Sequence, residues 1–475
     1  MQDERADMGI DRRGFLGAAA GALLLAGCNR GADGGAVIHD VARLDALEVA
    51  RVIRPASIED VQRALREWPG PVSIGGARYS MGGQIAAPGS LHLDLRGMNR
   101  LLRLDTTARI ARVQAGMTWR DLQDYLQPEG LAVAIMQSYG NFSIGGSVSV
   151  NCHGRSVGKG PIVNSVRALR LVGADGRIVD CDRVREPDLF AAAVGGYGGL
   201  GVIVEVELDL DADERMRRSI ARVALADYPA WFHDTVLADP SMLMHNADLV
   251  PPDFDAPFAI SWQRTDAPPT VSEPLVPRGL DYTREQNLIW AASELPGSAY
   301  LRDRLQADIA AEEKVVWRNR EASLDAASLE PRTRLMSTYL LQEYFVPVAA
   351  FVPFAHAMAM ILRRHGVNAL NISIRHSPAD RLSVMRWAPK DVFCFVLYHK
   401  QRTFDSAEDG ARRWTRALID AALAHGGRYY LPYRLHATPE QFRRAYPEAR
   451  RFAAIKRRWD PLGRLRNALW NAYLA

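Results

Sequence analysis

Three glycine-rich segments, each next to a predicted strand, constrain the fold of this chain more than any other feature. They cover residues 73–83, 140–154 and 195–203, roughly 60 residues apart. Closely spaced glycines at a strand end let backbone N–H groups approach an anion without obstruction by side chains. Together the segments predict a site in which backbone from three parts of the chain packs against one large ligand.

The individual segments carry different information. In the first, Arg78 adds a positive charge that suits a diphosphate, although a glycine-rich hairpin turn remains an alternative. Neither a Walker loop nor a Rossmann fingerprint is present, because the required Gly-Lys-Ser/Thr and glycine spacing are lacking. In the second, Ile144, Val148 and Val150 are apolar anchors that argue against a mobile linker and favour packing against a large flat ligand.

The hydrophobic periodicity predicts an α+β fold. The predicted strands cover residues 51–55, 71–74, 91–95, 110–116, 165–174, 202–210, 367–373 and 391–398. The predicted helices cover residues 58–68, 118–126, 188–194, 351–365 and 406–425, with a basic helical block over 442–474 that breaks at Asp460-Pro461-Leu462-Gly463. Glycine becomes sparse after about Asp211, and residues 264–278 are typical of a loop.

The N-terminal segment, residues 1–30, predicts where the protein works. Arg12 and Arg13 precede an apolar run of 13 residues, Phe15 to Gly27, and Cys28 follows. The run is shorter than the roughly 20 residues of a membrane span but fits the apolar core of a signal peptide. The order resembles a twin-arginine export signal with a lipoprotein box. We therefore expect a periplasmic lipoprotein held at the membrane by Cys28, with an unexported apolar helix as the alternative.

Charge and cysteine content narrow the function classes. The net charge is only +4, from 59 basic and 55 acidic residues, which argues against nucleic acid as the main partner. Besides Cys28 the chain has Cys152, Cys181 and Cys394, widely spaced and without a CxxC pair. This pattern argues against a disulfide framework or a zinc site, and no metal is expected.

Over residues 48–211 the glycine-rich segments resemble the FAD domain of the vanillyl-alcohol-oxidase/p-cresol methylhydroxylase (PCMH-type) flavoproteins. Those proteins have a diphosphate loop after an early strand, a Ser-Ile-Gly-Gly loop as at 143–146, and a Gly-Val-Ile strand as at 201–203. The segment 452–465 resembles their closing Lys and Asp-Pro signature. Segments 343–347 and 426–433 resemble the branch that contains sugar oxidases and decaprenylphosphoryl-ribose oxidase.

This resemblance implies a domain organisation and a set of cofactor residues. It implies a linker over 31–47, a two-part PCMH-type FAD domain over 48–211, an antiparallel-sheet and helix substrate (cap) domain over 212–423, and a segment over 424–475 that returns to the FAD domain. The implied FAD-binding residues are Ile74, Gly75, Gly76, Ala77, Arg78, Tyr79, Ser80, Gly116, Gly140, Ser143, Gly145, Gly146, Ser149, Cys152, His153, Gly154, Gly201 and Ile203.

The chain departs from the family pattern at positions that matter for chemistry. Many members attach FAD to a histidine in the first loop, where this chain has Arg78, so non-covalent FAD is expected. A covalent bond to Cys152 is the open alternative. A lysine that acts on substrate in the decaprenylphosphoryl-ribose branch is replaced here by Tyr433, which puts that branch's substrate in doubt. The candidate catalytic residues are therefore Tyr433, Arg375 and Lys400, each with a packing or surface role as its alternative.

The resemblance implies an FAD-dependent oxidoreductase that oxidises a CH–OH group of a sugar, sugar acid, polyol or related small molecule. The electron acceptor is oxygen or a membrane quinone or cytochrome. An alternative is a membrane-tethered dehydrogenase for a lipid-linked or sterol-like substrate. A second alternative is a flavin-binding electron carrier without turnover, which would not need the substrate domain.

Overall fold

A computed structural model describes residues 35–295 and 313–474. The expected export and lipidation signal, with Cys28, therefore lies outside the described residues. No helix in the described ranges is both long enough and apolar enough to cross a bilayer.

The N-terminal half contains three small sheets. Its strands are β1 (Ala36–Ile38), β2 (Leu47–Val49), β3 (Arg51–Ile53), β4 (Val72–Gly75), β5 (Leu91–Asp94), β6 (Leu101–Asp105), β7 (Ile110–Gln114), β8 (Leu131–Val133), β9 (Val166–Val172), β10 (Ile178–Asp182) and β11 (Val202–Ala212). Its helices are α1 (Ile58–Glu67), α2 (Trp119–Leu126), α3 (Ile144–Ser149) and α4 (Pro187–Ala193). Strands β3, β5 and β4 form a parallel sheet in that order. The order β10-β9-β11-β7-β6 forms an antiparallel sheet, and β8 pairs with the end of β11.

Local sequence signals explain where the first helices begin. Ser57 accepts a hydrogen bond from the backbone of Asp60, and the Asp60 carboxylate accepts one from the Ser57 backbone. Such a capping box satisfies two N–H groups that a helix start would leave unpaired. Thr118 and Asp121 repeat the arrangement at α2. Both starts agree with the sequence prediction.

The C-terminal half is built on one antiparallel sheet with the order β15-β12-β14-β13-β17-β18-β16-β19. Its strands are β12 (Arg215–Arg222), β13 (Met242–Leu249), β14 (Phe258–Arg264), β15 (Val315–Trp317), β16 (Ser337–Pro347), β17 (Ala369–Ser377), β18 (Val392–Arg402) and β19 (Arg428–Tyr429). Its helices are α5 (Tyr228–Trp231), continued by a π-helical turn (Phe232–Leu237), α6 (Thr283–Glu294), α7 (Arg318–Ala322), α8 (Phe351–Arg364), α9 (Asp405–Ala424), α10 (Pro439–Ala445), α11 (Ala449–Trp459) and α12 (Ala468–Tyr473).

The two faces of this sheet have different neighbours. On β18, Phe395 packs against α8 and His399 packs against Trp414 of α9. Val396 and Tyr398 lie on the other face and line a large cavity. Because successive side chains of a strand point to opposite faces, one face of the sheet is covered by helices and the other faces the N-terminal half.

The last segment of the chain contacts the N-terminal half. Leu465 pairs with Val72 of β4 in an isolated parallel bridge. The Arg464 guanidinium donates hydrogen bonds to the carbonyls of Ala174 (2.6 Å) and Leu65 (2.7 Å). Residues 464 and 465 thus contact the N-terminal half of the chain. The domain bounds stay a prediction, and the α+β class is confirmed.

Candidate cofactor and active site

A large cavity separates the N-terminal half from the uncovered face of the C-terminal sheet. Its open space amounts to about 1730 Å³, counted together with the part that is open to solvent. Residues of all three glycine-rich segments line it on one side, and β16, β17 and β18 line it on the other. The topology therefore brings the three segments together, as their shared composition predicts.

The first glycine-rich segment presents donors to this cavity. Arg78 has a φ of 65°, a left-handed conformation that is uncommon outside glycine. In the described part of the chain, the backbone N–H groups of Arg78, Tyr79 and Ser80 have no protein acceptor. The Arg78 Nη2 atom lies 3.3 Å from Asp94, whereas its Nε atom is buried without a hydrogen-bond partner. Adjacent unpaired N–H groups beside a guanidinium form a site for an anion such as a diphosphate.

A buried histidine supports this arginine. The Nε2 atom of His92 lies 3.4 Å from Arg78 Nη2, and its Nδ1 atom lies 3.2 Å from Ser73 Oγ. Burial, and then the positive charge of Arg78, lower the pKa of His92 to about 4. The imidazole is therefore neutral at pH 7 and can accept a hydrogen bond from the arginine.

The second segment is packed tightly against the first. Ser143 Oγ accepts a hydrogen bond from the backbone N–H of Ala77 at 3.1 Å. A Cβ atom on Gly76 would collide with the Ser143 hydroxyl, and one on Gly145 would lie 2.6 Å from the Cβ of Ala115. Glycine is therefore required here for close approach of backbone segments.

The third segment is held by the C-terminal return. The Lys456 ammonium donates to the carbonyls of Gly199 (2.7 Å) and Leu465 (2.9 Å), and it pairs with Asp460 at 2.8 Å. Asn467 Nδ2 donates to the Tyr197 carbonyl at 2.7 Å. The lysine and Asp-Pro residues of the closing signature thus position the loop that carries Gly201 and Ile203 into the cavity.

Most of the predicted cofactor residues line the cavity. They are Ile74, Gly76, Ala77, Arg78, Tyr79, Ser80, Ser143, Gly145, Gly146, Ser149, Cys152, His153, Gly201 and Ile203. The exceptions are Gly75, Gly116, Gly140 and Gly154, which are not among the lining residues.

The structure shows packing contacts for these four glycines, and their contact with FAD stays a prediction. A Cβ atom on Gly75 would lie 2.7 Å from the His92 ring, and one on Gly116 or Gly154 would overlap a backbone carbonyl of Leu95 or Met136. Gly140 donates its N–H to Leu324 at 2.8 Å. Their small size lets strands and loops approach each other. A glycine in these segments can therefore reflect either close packing of backbone or space for a ligand.

The far end of the cavity carries a group of polar side chains. His153 Nε2 lies 2.6 Å from Glu343 Oε1, and both residues are almost completely buried. The Tyr433 hydroxyl donates to the other carboxylate oxygen, Oε2, at 3.3 Å. Arg375 Nη2 donates to Ser138 Oγ at 3.1 Å, and its Nε atom is buried without a partner. The arrangement supplies an acceptor, a hydroxyl donor and a cation around one space.

Aromatic rings surround this group on the protein side. The ring of His153 lies 4.8 Å from that of Trp387 and 5.8 Å from that of Phe345.

Burial, and next the negative charge of Glu343, raise the pKa of Tyr433 well above its usual range. Tyr433 therefore stays protonated at neutral pH and acts as a hydrogen-bond donor rather than as a base.

Lys400 is corrected as a candidate catalytic residue. It lies on the same face of β18 as Tyr398 but beyond the end of the cavity, which it does not line. Its ammonium pairs with Glu294 of α6 at 2.6 Å and donates to Ser293 Oγ at 3.0 Å. The strand runs further than the sequence pattern suggests, to Arg402, and this carries Lys400 away from the site.

Glu343 was missed as a functional residue, although its segment carries the resemblance. It lies in β16 within the run Leu340-Leu341-Gln342-Glu343-Tyr344-Phe345-Val346. A carboxylate in the middle of a buried apolar strand is expensive unless it is paired, and such positions concentrate at functional sites. This signal is visible in the sequence and could have found it.

Cys152 lines the cavity but is a poor candidate for a covalent bond. Its side chain is 1% exposed, and burial raises the pKa of its thiol above the usual range. The reactive form of cysteine is the thiolate, which this environment disfavours. Burial of Cys152 therefore argues against the covalent alternative, and non-covalent FAD stays a prediction.

Segments in both halves of the chain match models of known protein families. Residues 49–182 match the family model "FAD binding domain", and residues 252–474 match "D-arabinono-1,4-lactone oxidase". An alditol oxidase of Streptomyces sp. is 34% identical over 34% of this chain and 38% of its own length. The L-gulonolactone oxidase of Bos taurus is 30% identical over 33% of this chain and 36% of its own. Cytokinin dehydrogenase 6 of rice (Oryza sativa) is 29% identical over 42% of this chain and 40% of its own length.

Each of these alignments spans less than half of the relative, whereas the two family models together extend over most of the chain. The unpaired N–H groups and the guanidinium of the first loop, the cradle of glycines and the residues of the C-terminal return fit FAD. The two matches and the site are consistent with an FAD-binding flavoprotein oxidoreductase of the vanillyl-alcohol-oxidase/p-cresol methylhydroxylase type.

Proposed function

We propose that this protein oxidises a CH–OH group of a sugar, sugar acid, polyol or sugar lactone and passes the electrons to oxygen. The observation that carries the proposal is the group of Glu343, Tyr433 and Arg375 at the end of the FAD cavity. The names of the relatives, alditol oxidase and L-gulonolactone oxidase, support this substrate class.

Bound FAD supplies a two-electron acceptor for a hydride from the substrate carbon. The residues of the chain have to bind the substrate, orient the carbon and take the proton of its hydroxyl group. Oxidation of an alcohol releases that proton, so a base within hydrogen-bond reach is required.

Glu343 is the group best placed to take this proton. Its carboxylate is buried at the end of the cavity and is held by His153 on one oxygen and by Tyr433 on the other. In the proposed mechanism Tyr433 orients the substrate hydroxyl toward the carboxylate, and His153 holds the carboxylate in place from behind. Both side chains keep their positions because aromatic rings pack around them.

Arg375 stabilises negative charge on the substrate oxygen. Its guanidinium lines the cavity and has an unpaired Nε, so it can donate further hydrogen bonds. A preorganised cation in a site with little water stabilises a developing oxyanion more than it would in bulk solvent. Gln137 and Ser138 add polar groups nearby, which suits a substrate with several hydroxyl groups.

A substrate panel tests this proposal. The FAD-loaded protein is mixed with alditols, aldonolactones and their deoxy analogues under air, and hydrogen peroxide and flavin absorbance are followed. Peroxide formed in proportion to substrate supports the oxidase. If substrate reduces the flavin without forming peroxide, and a quinone analogue reoxidises the flavin, the enzyme is a dehydrogenase. If no member of the panel reduces the flavin without air, the substrate proposal is wrong.

We also propose that residues 1–30 direct twin-arginine export and that Cys28 is lipidated, which places the enzyme on the periplasmic side of a membrane. The support is the order of Arg12, Arg13, the apolar run and Cys28 in the sequence. A Cys28→Ser variant should move from the membrane fraction to the soluble periplasmic fraction. If the wild type is not exported, or the variant stays on membranes, this part of the proposal fails.

A further inference from the structure

A second cavity lies on the helix-covered face of the C-terminal sheet, opposite the FAD cavity. It is enclosed by the end of β18, the chain that enters β17, the end of α8 and the first turns of α9. Its open space is about 820 Å³, counted together with its mouth. Neither the proposed function nor the FAD domain uses it.

Two buried polar side chains at this cavity have unsatisfied atoms. His399 and Gln401 line it and are 2% and 6% exposed. Among the residues that the structure describes, the Nδ1 atom of His399 and the Oε1 atom of Gln401 have no hydrogen-bond partner. Buried polar groups are almost always hydrogen-bonded, so unpaired atoms at a cavity point to a partner from outside the chain.

Among the described cationic lining residues, Arg413 is the one available to an anion. Lys400 and Arg402 also line the cavity but pair with Glu294 at 2.6 and 3.2 Å, and no aspartate or glutamate is among the described lining residues. Arg413 forms no ion pair with any residue in the described ranges. The neighbouring Arg412, by contrast, contacts Asp409 at 3.4 Å and does not line the cavity.

A glycine in the interior of α9 keeps the space open. A Cβ atom on Gly410 would meet nothing closer than the guanidinium of Arg413, at 3.8 Å. Glycine is unfavourable inside a helix, and here no close packing contact requires it. A larger side chain at Gly410, which lines the cavity, would occupy it.

We propose that this cavity binds a small organic carboxylate that carries hydroxyl groups. Arg413 binds the carboxylate, Gln401 accepts a hydrogen bond from a hydroxyl, and the carbon chain packs against Trp414. Burial, and then the nearby His436, lower the pKa of His399 to about 3, so its imidazole is neutral and completes the polar wall. The site is separate from the FAD cavity and does not depend on which substrate the enzyme oxidises.

Binding of gluconate to the full-length, FAD-loaded protein tests the proposal. We expect gluconate to bind with an affinity that falls at least tenfold in Gly410→Leu, which fills the cavity, and in Arg413→Gln, which removes the cation. Arg412→Gln is the matched control and should bind as the wild type does. Calorimetry measures the affinity, and the flavin spectrum reports separately on any gluconate in the FAD cavity.

The variants keep the test independent of folding and of catalysis. Leucine is a better helix former than glycine, and Arg413 is an exposed residue, so neither change should lower the melting temperature. The proposal is overturned if wild-type protein binds no gluconate at millimolar concentrations. It is also overturned if Gly410→Leu and Arg413→Gln both bind gluconate as tightly as the wild type, because that binding would then belong to the FAD cavity.

Discussion

The two ends of the FAD cavity are built from different parts of the polypeptide. At the cofactor end, backbone N–H groups and small residues from the three glycine-rich segments form the wall. At the substrate end, the wall consists of the side chains of Glu343, Arg375 and Tyr433, each from a different strand or segment. A site made of backbone depends on close approach, whereas a site made of side chains depends on individual functional groups. Single substitutions should therefore have different effects at the two ends.

The largest expected effect is at the substrate end, with Glu343→Gln. The amide keeps the shape of the side chain but cannot take the substrate proton, so kcat should fall by about 10²- to 10⁴-fold. FAD content and the melting temperature should stay close to those of the wild type. Steady-state kinetics and anaerobic flavin reduction measure the change.

Glu330→Gln is the matched control for this variant. Glu330 lines the same cavity but pairs with Arg334 at 2.8 Å. Its substitution should leave kcat nearly unchanged. A Glu343→Gln enzyme with wild-type kcat would show that the buried carboxylate is not the base.

At the cofactor end, Gly145→Ala should act through packing and not through chemistry. The added methyl group would lie 2.6 Å from the Cβ of Ala115, so the second segment must shift. We expect a loss of about 1–3 kcal/mol in the free energy of unfolding and weaker FAD binding. Flavin fluorescence and denaturant unfolding measure both quantities.

The control for this variant is Gly410→Ala, where a methyl group meets no atom closer than 3.8 Å. It should keep wild-type FAD affinity. If Gly145→Ala binds FAD as tightly as the wild type, close approach of the second segment is not what shapes the cofactor end.

His92 makes the cofactor end sensitive to pH. Its pKa is lowered from 6.5 to about 4 in the folded protein, so the unfolded chain binds more protons between these values. Stability from this residue is present above pH 6.5 and is lost as the pH falls toward 4, by about 1.4 kcal/mol at pH 5.5. Unfolding of the flavin-free protein across this range should show the loss, and His92→Gln should reduce it. An unchanged pH slope in the variant would contradict this assignment.

The smallest expected effect is that of Lys400→Met. The ammonium pairs with Glu294 outside the cavity, so kcat should change by less than about twofold. Tyr433→Phe, measured in the same assay, should lower kcat clearly more, because its hydroxyl contacts the proposed base. A large loss of kcat in Lys400→Met with FAD still bound would restore Lys400 to the active site.

The same contrast between the two ends explains how much could be predicted. Helix starts such as Ser57 and Thr118 depend on hydrogen bonds over three residues, so the sequence shows them directly. Glycine-rich segments are similarly local, and most of their predicted residues line the cavity. Composition alone could not distinguish Gly145, which lines the cavity, from Gly116 and Gly154. At those two positions a Cβ atom would overlap a backbone carbonyl, so only glycine fits.

By itself the sequence determined the α+β class and the three glycine-rich segments, because both depend on short-range backbone geometry, and the family resemblance implied FAD as the cofactor. Only the tertiary structure decided which side chains meet at the substrate end. Glu343 and His153 are 190 positions apart and come within 2.6 Å because β16 packs against the end of the second glycine-rich segment. Lys400 lies outside the site for a similar reason. The length of β18 and the position of α6 are set by packing that no local pattern encodes.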